Sequence, residues 1–164
     1  MKSFFVVGNP IQHSLSPLIF KHWFNKYKIK ALYKKKLIKN KNTEEKILKT
    51  IRKKKCFGIN ITAPHKQRAS NIVDKIEPAA KKIGAINCIY KRNSLLIGAN
   101  TDWQGFIKAL NETTPKKNLK KQTVVLIGFG GAAKAILYSL IKNKTKKIII
   151  IVRDVSKTKK ETQK

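Results

Sequence analysis

Thr123-Val124-Val125-Leu126-Ile127, followed by Gly128-Phe129-Gly130-Gly131-Ala132-Ala133, is the stretch that decides the fold of this 164-residue chain. Its five apolar residues predict a strand that is buried on both faces of a parallel sheet. The glycines that follow, with Ala133 in the last place, fit the pattern G-x-G-x-x-G/A. An Ala-rich helix (132–141) and a second apolar strand (148–152) complete a βαβ unit. The sequence therefore predicts an α/β protein that contains the start of a Rossmann-type domain.

The glycine turn suits a dinucleotide for physical reasons. The first glycine permits a tight turn, the second lets a pyrophosphate approach the backbone, and a small third residue lets the helix pack closely on the strand. The start of the helix offers N–H groups and the positive end of the helix dipole to the phosphates. We therefore predict that the turn binds a dinucleotide through Gly128, Phe129, Gly130, Gly131 and Ala132.

The end of the second strand is where such domains distinguish NAD from NADP. Arg153 lies about 20 residues after the last glycine of the turn, the distance at which the discriminating residue is expected. An arginine at this position accommodates the 2′-phosphate of NADP, so Arg153 is the predicted phosphate ligand, assisted by Lys157. Asp154 leaves an alternative open, because it either caps the next helix or contacts the ribose.

The charge of the chain is unusual but is not concentrated in one place. Lys and Arg number 38 against 8 Asp and Glu, which gives a formal net charge of +30. The lysines occur in every segment, and arginines are few. A nucleic-acid surface would favour Arg and interleave aromatic residues for stacking. We expect salt-sensitive, non-specific association with polyanions and no specific nucleic-acid partner.

Apolar runs and cysteines limit the classes of protein further. No apolar run approaches the roughly 18 residues that span a bilayer, and the opening residues 1–7 are too short for the apolar region of a signal peptide. A cytoplasmic protein without a membrane partner is the expectation. Cys56 and Cys88 have no metal-type spacing and are predicted to be small core residues, so no metal site is expected.

The rest of the chain alternates short strands and helices. Strands are predicted over residues 4–7, 31–38, 57–61, 85–90 and 95–99, the last two as a hairpin around Arg92-Asn93. Helices are predicted from a Ser16 cap with Pro17 in the first turn, from Thr43, in the polar region up to Ile83, and over 103–110. The polar run 113–122 is predicted to link a first domain (1–112) to the second (119–164).

Hydroxyl and amide side chains occur where the predicted strands end. Ser14 and Ser16 lie on the turn after the first strand, and their hydroxyls are suited to hold a carboxylate. Helix capping is the alternative, and it fits Ser16 better than Ser14. Asn60 and Thr62 share one face of a strand end because side chains alternate along a strand. Asn87 is an amide within an otherwise apolar strand.

Two charged residues are also candidates. Lys66 follows the turn after Thr62, although spacing alone does not separate it from the other lysines. Asp102 is one of only eight acidic residues and lies between an apolar run (95–99) and an amphipathic run (103–110). Catalytic groups concentrate at such junctions, and a plain helix N-cap is the alternative for Asp102.

Five motifs in order resemble the shikimate dehydrogenase family, and they cover almost the whole chain. They are Gly8-Asn9-Pro10-Ile11 with His13-Ser14-Leu15-Ser16-Pro17, Asn60-Ile61-Thr62-Ala63-Pro64-His65-Lys66, Gly84-Ala85-Ile86-Asn87, Asn100-Thr101-Asp102 with Gly105-Phe106, and Gly128-Phe129-Gly130-Gly131-Ala132. One such motif is a weak signal, but five in the family's order are specific.

The resemblance implies a reversible, NADPH-dependent reduction of 3-dehydroshikimate to shikimate, a step toward chorismate and the aromatic amino acids. Residues 1–112 would then form the shikimate-binding domain. By position in the motifs, Ser14 and Ser16 would bind the substrate carboxylate. The ring hydroxyls would be bound by Asn60, Thr62, Lys66, Asn87 and Asp102. Lys66 and Asp102 would also form the catalytic pair.

Several positions depart from the family pattern. Phe20-Lys21 stands where His-Asn is usual, Cys88 replaces a Thr, Phe129 replaces an Ala, and only Arg153 remains of an Asn-Arg-Thr motif. Members of the family are also longer, so the resemblance implies a chain that ends inside the NADP-binding domain and is not active alone. A homodimer stays open. The alternatives are an NAD-using quinate/shikimate dehydrogenase, suggested by Asp154, and a non-catalytic remnant that binds shikimate-like acids.

Overall fold

The computed structural model describes residues 1–39, 42–114 and 118–162, without the side chains of residues 157, 161 and 162. The strands are β1 (Lys2–Gly8), β2 (Ala31–Leu37), β3 (Cys56–Ile61), β4 (Lys75–Ile76), β5 (Cys88–Arg92), β6 (Leu95–Ala99), β7 (Thr123–Ile127) and β8 (Lys147–Ile151). The α-helices are α1 (Ser16–Lys26), α2 (Thr43–Ile51), α3 (Pro78–Ile83), α4 (Asp102–Thr113), α5 (Gly131–Lys142) and α6 (Val155–Thr162), with short 3₁₀ helices at Arg68–Ile72 and Leu119–Lys121. The chain divides into two compact units, Met1–Asn100 and Thr101–Lys164.

The first unit is built on a six-stranded mixed sheet in the order β2-β1-β3-β5-β6-β4. Strand β1 runs parallel to both β2 and β3, whereas β5 runs antiparallel to β3 and β6 antiparallel to β5. The end of β3 therefore lies at the same sheet edge as the start of β5, where Asn60 pairs with Cys88. Cys88 in turn pairs with Ala99 at the end of β6. We use the name carboxyl edge for the side of the sheet at which β1, β3 and β6 end. The polar motifs of the first unit lie there.

The core of the first unit is aliphatic. Helix α2 buries its periodic residues Ile47, Thr50 and Ile51 against the sheet side chains, which include Ile59 and Ile89. This amphipathic spacing explains why the segment folds as a helix at this place. Helix α1 buries none of its residues completely. It packs on the edge strand β2 through aromatic rings instead.

The second unit contains the predicted βαβ arrangement. Strands β7 and β8 are parallel, in register from Thr123 with Lys147 to Ile127 with Ile151, and α5 connects them. Helix α4 packs on α5, where Ser139 Oγ donates to the carbonyl of Trp103 at 3.1 Å. The predicted α/β class, with the start of a Rossmann-type domain in its second part, is therefore confirmed.

One expectation for the second unit is wrong. We predicted that β7 is buried on both faces, but alternate residues of the two-stranded sheet are exposed. They are Val125, Ile127, Ile149 and Ile151, and Ile127 is 79% exposed. The helices described in this unit do not cover that face, although the strand composition is that of a two-sided core. We call these four residues the open face.

Several predicted boundaries also need correction. Leu15, not Ser16, is the N-cap of α1, and its side chain makes no capping hydrogen bond. The polar region before Ile83 forms a 3₁₀ helix, the two-residue strand β4 and the short α3, because Pro78 starts a new helix. The hairpin is confirmed, but it turns at Asn93-Ser94, both with positive φ, and its first strand begins at Cys88.

The linker and the domain ranges are less simple than predicted. Within 113–122, residues 119–121 form a 3₁₀ helix, and residues 115–117 lie outside the described chain. The compact units divide at Asn100, so α4 belongs with the second unit because it packs on α5. The ranges 1–112 and 119–164, as functional domains, stay predictions.

No helix in the described part is long and apolar enough to cross a membrane.

Candidate substrate and dinucleotide sites

The loop after β1 brings two serine hydroxyls together at the start of α1. Ser14 Oγ and Ser16 Oγ are hydrogen-bonded at 3.2 Å, and the backbone N–H of Ser16 donates to Ser14 Oγ at 3.3 Å. Both serines are half-buried. The helix-capping alternative for Ser16 is not realised, and its Oγ accepts the hydrogen bond from Ser14 Oγ. Paired hydroxyls beside a helix start are suited to a carboxylate.

Gly8 allows the loops after β1 and β3 to approach each other. A Cβ at this position would collide with Cγ2 of Thr62 and lie 3.1 Å from the carbonyl of Ala63. Backbone bonds fix the approach, since Thr62 N–H donates to Val7 O at 2.9 Å and Asn9 N–H to Ala63 O at 3.1 Å. The serine loop and the Thr62–Lys66 loop are therefore neighbours at the carboxyl edge.

Asn60 lies at the centre of a polar network at this edge. Its Oδ1 accepts a 2.7 Å hydrogen bond from the hydroxyl of Tyr33, and its Nδ2 donates to the carbonyl of Asn87 at 3.4 Å. A primary amide has two N–H donors and an oxygen with two lone pairs. These two hydrogen bonds therefore leave one N–H and one oxygen lone pair of the Asn60 amide for a further partner. Together they match a hydroxyl, which both donates and accepts.

Tyr33 is a candidate site residue that the sequence did not single out. Its ring stacks on Phe20 with centroids 4.2 Å apart, and burial raises the pKa of its hydroxyl well above the ordinary value, partly offset by a hydrogen bond with Ser16. Tyr33 therefore stays a neutral donor that connects the serine pair with Asn60. No sequence signal singled out Tyr33, because its approach to Asn60 depends on the parallel register of β1 and β2, in which Tyr33 pairs with Phe4.

Asn87 and Lys66 lie at the carboxyl edge and belong to two different chain segments. Asn87 is only 8% exposed, and its backbone joins two strands, accepting from Ile61 N–H and donating to the carbonyl of Ala99. The carbonyl of Lys66 accepts from Ile86 N–H at 2.8 Å, and the Lys66 side chain is half-buried. Ser14, Ser16, Asn60, Thr62, Lys66 and Asn87 are thus all placed by loops and strand ends at the carboxyl edge of the first unit.

Asp102 belongs to the second unit. It is the first residue of α4, whose N-cap is Thr101, and its side chain is half-buried. The N-cap alternative for Asp102 is therefore wrong. Asn100, its neighbour in the motif, donates from Nδ2 to the carbonyl of Ala85 at 2.9 Å and is buried, so it holds the end of β6. The pairing of Asp102 with Lys66 stays a prediction.

The two cysteines have the properties of core thiols. Burial, reinforced by the charge of Glu77, raises the pKa of Cys88 to about 11. Burial also raises the pKa of Cys56. Thiols that resist ionisation are poor nucleophiles and poor metal ligands. Among the described residues, no group of three or more His, Cys, Asp or Glu is arranged to hold a metal.

The glycine turn has three local features that suit a diphosphate. Gly128 has φ = 93°, a conformation that favours glycine, and its N–H donates to the carbonyl of Ile151 at 2.8 Å. A Cβ at Gly128 or Gly130 would meet no atom within 4 Å, so the space beside the backbone is open. Helix α5 begins at Gly131 without an acidic residue in its first turn. These features fit a dinucleotide phosphate at the start of α5.

The residues predicted to select the cofactor lie after β8. Arg153 is exposed two residues beyond the strand. Asp154 directly precedes α6, and its carbonyl accepts from the N–H and the hydroxyl of Thr158, as expected at a helix start. Lys157 lies in α6, but its side chain is outside the described part. Their roles toward a cofactor stay predictions.

A unit with convergent polar groups at a sheet edge, followed by a glycine-turn βαβ unit, is typical of α/β proteins that combine a small-molecule site with a dinucleotide site. The family model described as the shikimate dehydrogenase substrate binding domain matches residues 6–89. The chain belongs to the shikimate dehydrogenase family.

Individual relatives agree with this assignment. The chain is 40% identical over 149 residues to the shikimate dehydrogenase (NADP(+)) of Pelagibacter ubique, covering 91% of this chain and 55% of that protein. It resembles the shikimate dehydrogenase structure from Aquifex aeolicus with a TM-score of 0.91 at 32% identity, over 99% of this chain and 60% of that one. The structure from Thermus thermophilus, in complex with NADP(H) and shikimate, has a TM-score of 0.86 at 28% identity over 99% and 60% of the two chains. The chain thus spans little more than half of the curated relatives it matches.

Proposed function

We propose that this chain supplies the shikimate site and the first part of the NADP site of a shikimate dehydrogenase, an oxidoreductase that reversibly reduces 3-dehydroshikimate to shikimate. The observation that carries the proposal is the Tyr33–Asn60–Asn87 network beside the paired serines, within the segment that the family model matches. Shikimate presents a carboxylate and ring hydroxyls. The carboxyl edge offers hydrogen-bond donors for the carboxylate, and groups that both donate and accept for the ring hydroxyls.

The serine pair binds the carboxylate in this proposal. Two hydroxyls 3.2 Å apart can each donate to one carboxylate oxygen when the hydrogen bond between them is exchanged for the ligand. Asn60 and Thr62 then face the ring, because they occupy the end of β3 beside the same loop. Asn87 contributes its amide from the segment directly before β5. The neutral Tyr33 hydroxyl keeps the Asn60 amide oriented.

Lys66 and Asp102 form the catalytic pair of the proposal. NADPH, when bound, supplies the hydride that adds to the carbonyl carbon. The Lys66 ammonium stabilises the negative charge that develops on the carbonyl oxygen and provides the proton that this oxygen takes. The Asp102 carboxylate orients Lys66 and a substrate hydroxyl. Both side chains are half-buried, which strengthens their electrostatic interactions relative to water.

The glycine turn and the segment after β8 hold the cofactor in the proposal. Gly128 forms the turn, and Phe129, Gly130, Gly131 and Ala132 surround the diphosphate with backbone N–H groups at the start of α5. Arg153, with Lys157, binds the 2′-phosphate, so NADP is preferred to NAD. Asp154 serves as the start of α6. The cytoplasmic location and the homodimer stay predictions.

Calorimetric titration of the 164-residue chain with shikimate tests the proposal. We expect saturable one-site binding that is lost in Asn60→Ala and unchanged in the control Asn25→Ala, an exposed amide on α1. Benzoate is the control ligand, because it supplies the carboxylate without the hydroxyls. Equal binding of benzoate and shikimate would show that the lysine-rich surface merely attracts anions, and the proposal would be wrong.

A further inference from the structure

His65 is a buried histidine that the proposed chemistry does not use. Only 1% of its surface is exposed, and its Nε2 lies 2.7 Å from the carbonyl oxygen of Ile38. Because a carbonyl oxygen only accepts, Nε2 must carry the proton, and Nδ1 is left as an acceptor. Nδ1 is buried and has no hydrogen-bond partner among the described residues. An apolar side chain would fill this space without leaving a buried acceptor unsatisfied.

The hydrogen bond of His65 joins three chain segments at the carboxyl edge. Ile38 directly follows β2, and its N–H donates to the carbonyl of Gly8 at the end of β1 at 3.2 Å. The carbonyl of the same Ile38 then accepts from the His65 ring. The ends of β1 and β2 are thereby connected to the loop that follows β3. The loop is attached on its other side as well, since Thr62 N–H donates to Val7 O.

Lys66 is the next residue in the chain, and it lies between two anchors. The His65 ring holds the residue before it, and the bond from Ile86 N–H holds its own carbonyl at 2.8 Å. The His65 ring therefore adds a side-chain link, beside the backbone bonds of Thr62 N–H and Asn9 N–H, between the residue before Lys66 and the strands β1 and β2, which carry the serine loop and Tyr33.

We propose that His65 is a positioning residue: its Nε2–H hydrogen bond to Ile38 sets the backbone position of Lys66, and so the placement of the Lys66 ammonium at the substrate. This inference rests on the proposed role of Lys66. His65 touches neither substrate nor cofactor in this account, and it acts only through the loop. A ring that donates from Nε2 is required, because a donor at this position is what the Ile38 carbonyl needs.

The test compares two substitutions of nearly equal length in the 164-residue chain, His65→Gln and His65→Met. The Gln amide can place an N–H donor at the position of Nε2, whereas Met fills similar volume without a donor. The first readout is amide hydrogen exchange of Ile86, which reports the anchoring of Lys66. We expect His65→Met to accelerate this exchange about tenfold and His65→Gln to leave it within about threefold of the native rate. The amide of Ile89 in β5 is the internal control.

The second readout is the shikimate dissociation constant, which we expect to rise with Met and to be restored with Gln. If the native chain does not bind shikimate, the proposed function fails, and the exchange experiment still decides whether His65 fixes the Lys66 loop. Unchanged Ile86 exchange in His65→Met would overturn the inference. Equal acceleration at Ile86 and Ile89 would also overturn it, because the effect would then be general destabilisation. Should His65→Met not fold, His65→Phe takes its place.

Discussion

The hydroxyl of Tyr33 donates a 2.7 Å hydrogen bond to Oδ1 of Asn60 and so connects β2 with β3 across the intervening β1. This bond fixes which end of the Asn60 amide is an acceptor. Because burial raises the pKa of Tyr33, the phenol keeps its proton throughout the physiological range. The orientation of the Asn60 amide is therefore defined before any ligand binds, which reduces the cost of ordering this part of the carboxyl edge.

The first prediction concerns this bond. Tyr33→Phe removes the hydroxyl and retains the ring that stacks on Phe20, so shikimate binding should weaken about 3- to 10-fold, the loss typical of one neutral hydrogen bond. Calorimetric titration measures the effect. The control is Tyr27→Phe, since Tyr27 is 64% exposed at the end of α1. An unchanged affinity in Tyr33→Phe would show that Asn60 needs no orientation.

The second prediction concerns the cofactor and uses a chimera in which residues 1–164 continue into the remaining part of the Pelagibacter ubique relative. Arg153→Ala should raise the KM for NADPH about 10- to 100-fold, because a charge-assisted bond to the 2′-phosphate is lost. The KM for NADH should change little. Arg92→Ala, an exposed arginine in the first unit, is the control. A preference for NADH before any substitution would contradict the assignment of Arg153.

The third prediction concerns pH. The Cys88 pKa is raised from its ordinary 9.0 to about 11 by burial and the nearby Glu77. The folded state therefore holds the thiol proton more firmly than the unfolded state, and this contribution is complete below pH 9 and lost between about pH 9 and 11. Over that window, the free energy of unfolding of the native chain should fall by up to about 2 kcal/mol more than that of Cys88→Ala. Chemical denaturation at several pH values measures the difference, and parallel curves would contradict the prediction.

The fourth prediction concerns the open face. Four exposed aliphatic residues on a two-stranded sheet, with strand edges beside them, favour association between copies. We expect the 164-residue chain alone to be poorly soluble and to show no NADP reduction by shikimate. Ile127→Thr should increase its solubility more than Ile141→Thr, a control on α5 with comparable exposure. The solubility limits of the two variants, measured by light scattering, test the first expectation. A clear dehydrogenase activity of the unmodified chain would contradict the second.

Local patterns predicted the βαβ unit because a strand, a glycine turn and a helix are set by neighbouring residues. The hairpin of β5 and β6 was predictable for the same reason. The open face was not predictable. The apolar composition of β7 indicates that both faces of the strand can be buried, but it does not indicate which elements cover them. The prediction that Ser16 caps α1 was wrong because serine is a favoured cap residue, whereas the Ser16 Oγ accepts a hydrogen bond from Ser14 Oγ.

The candidate site was predictable only where a motif carried it. Asn60 and Lys66 lie in one recognisable stretch, and the structure adds how they are held. Tyr33 and His65 act through partners 27 residues away in the chain, Asn60 and Ile38 respectively. Such contacts depend on strand order and register, which a single sequence does not specify. What the structure adds to the motifs is therefore mainly the hydrogen bonds that hold the site residues in place.

The rate of shikimate-dependent NADP reduction by the chimera tests the central claim most directly. Lys66→Ala and Asp102→Asn should each lower kcat about 10²- to 10⁴-fold, the usual contribution of a positioned acid–base group. Lys81→Ala, an exposed lysine on α3, should leave kcat within about twofold of the parent value, as surface substitutions away from a site do. Equal and mild effects at Lys66 and Lys81 would contradict the account.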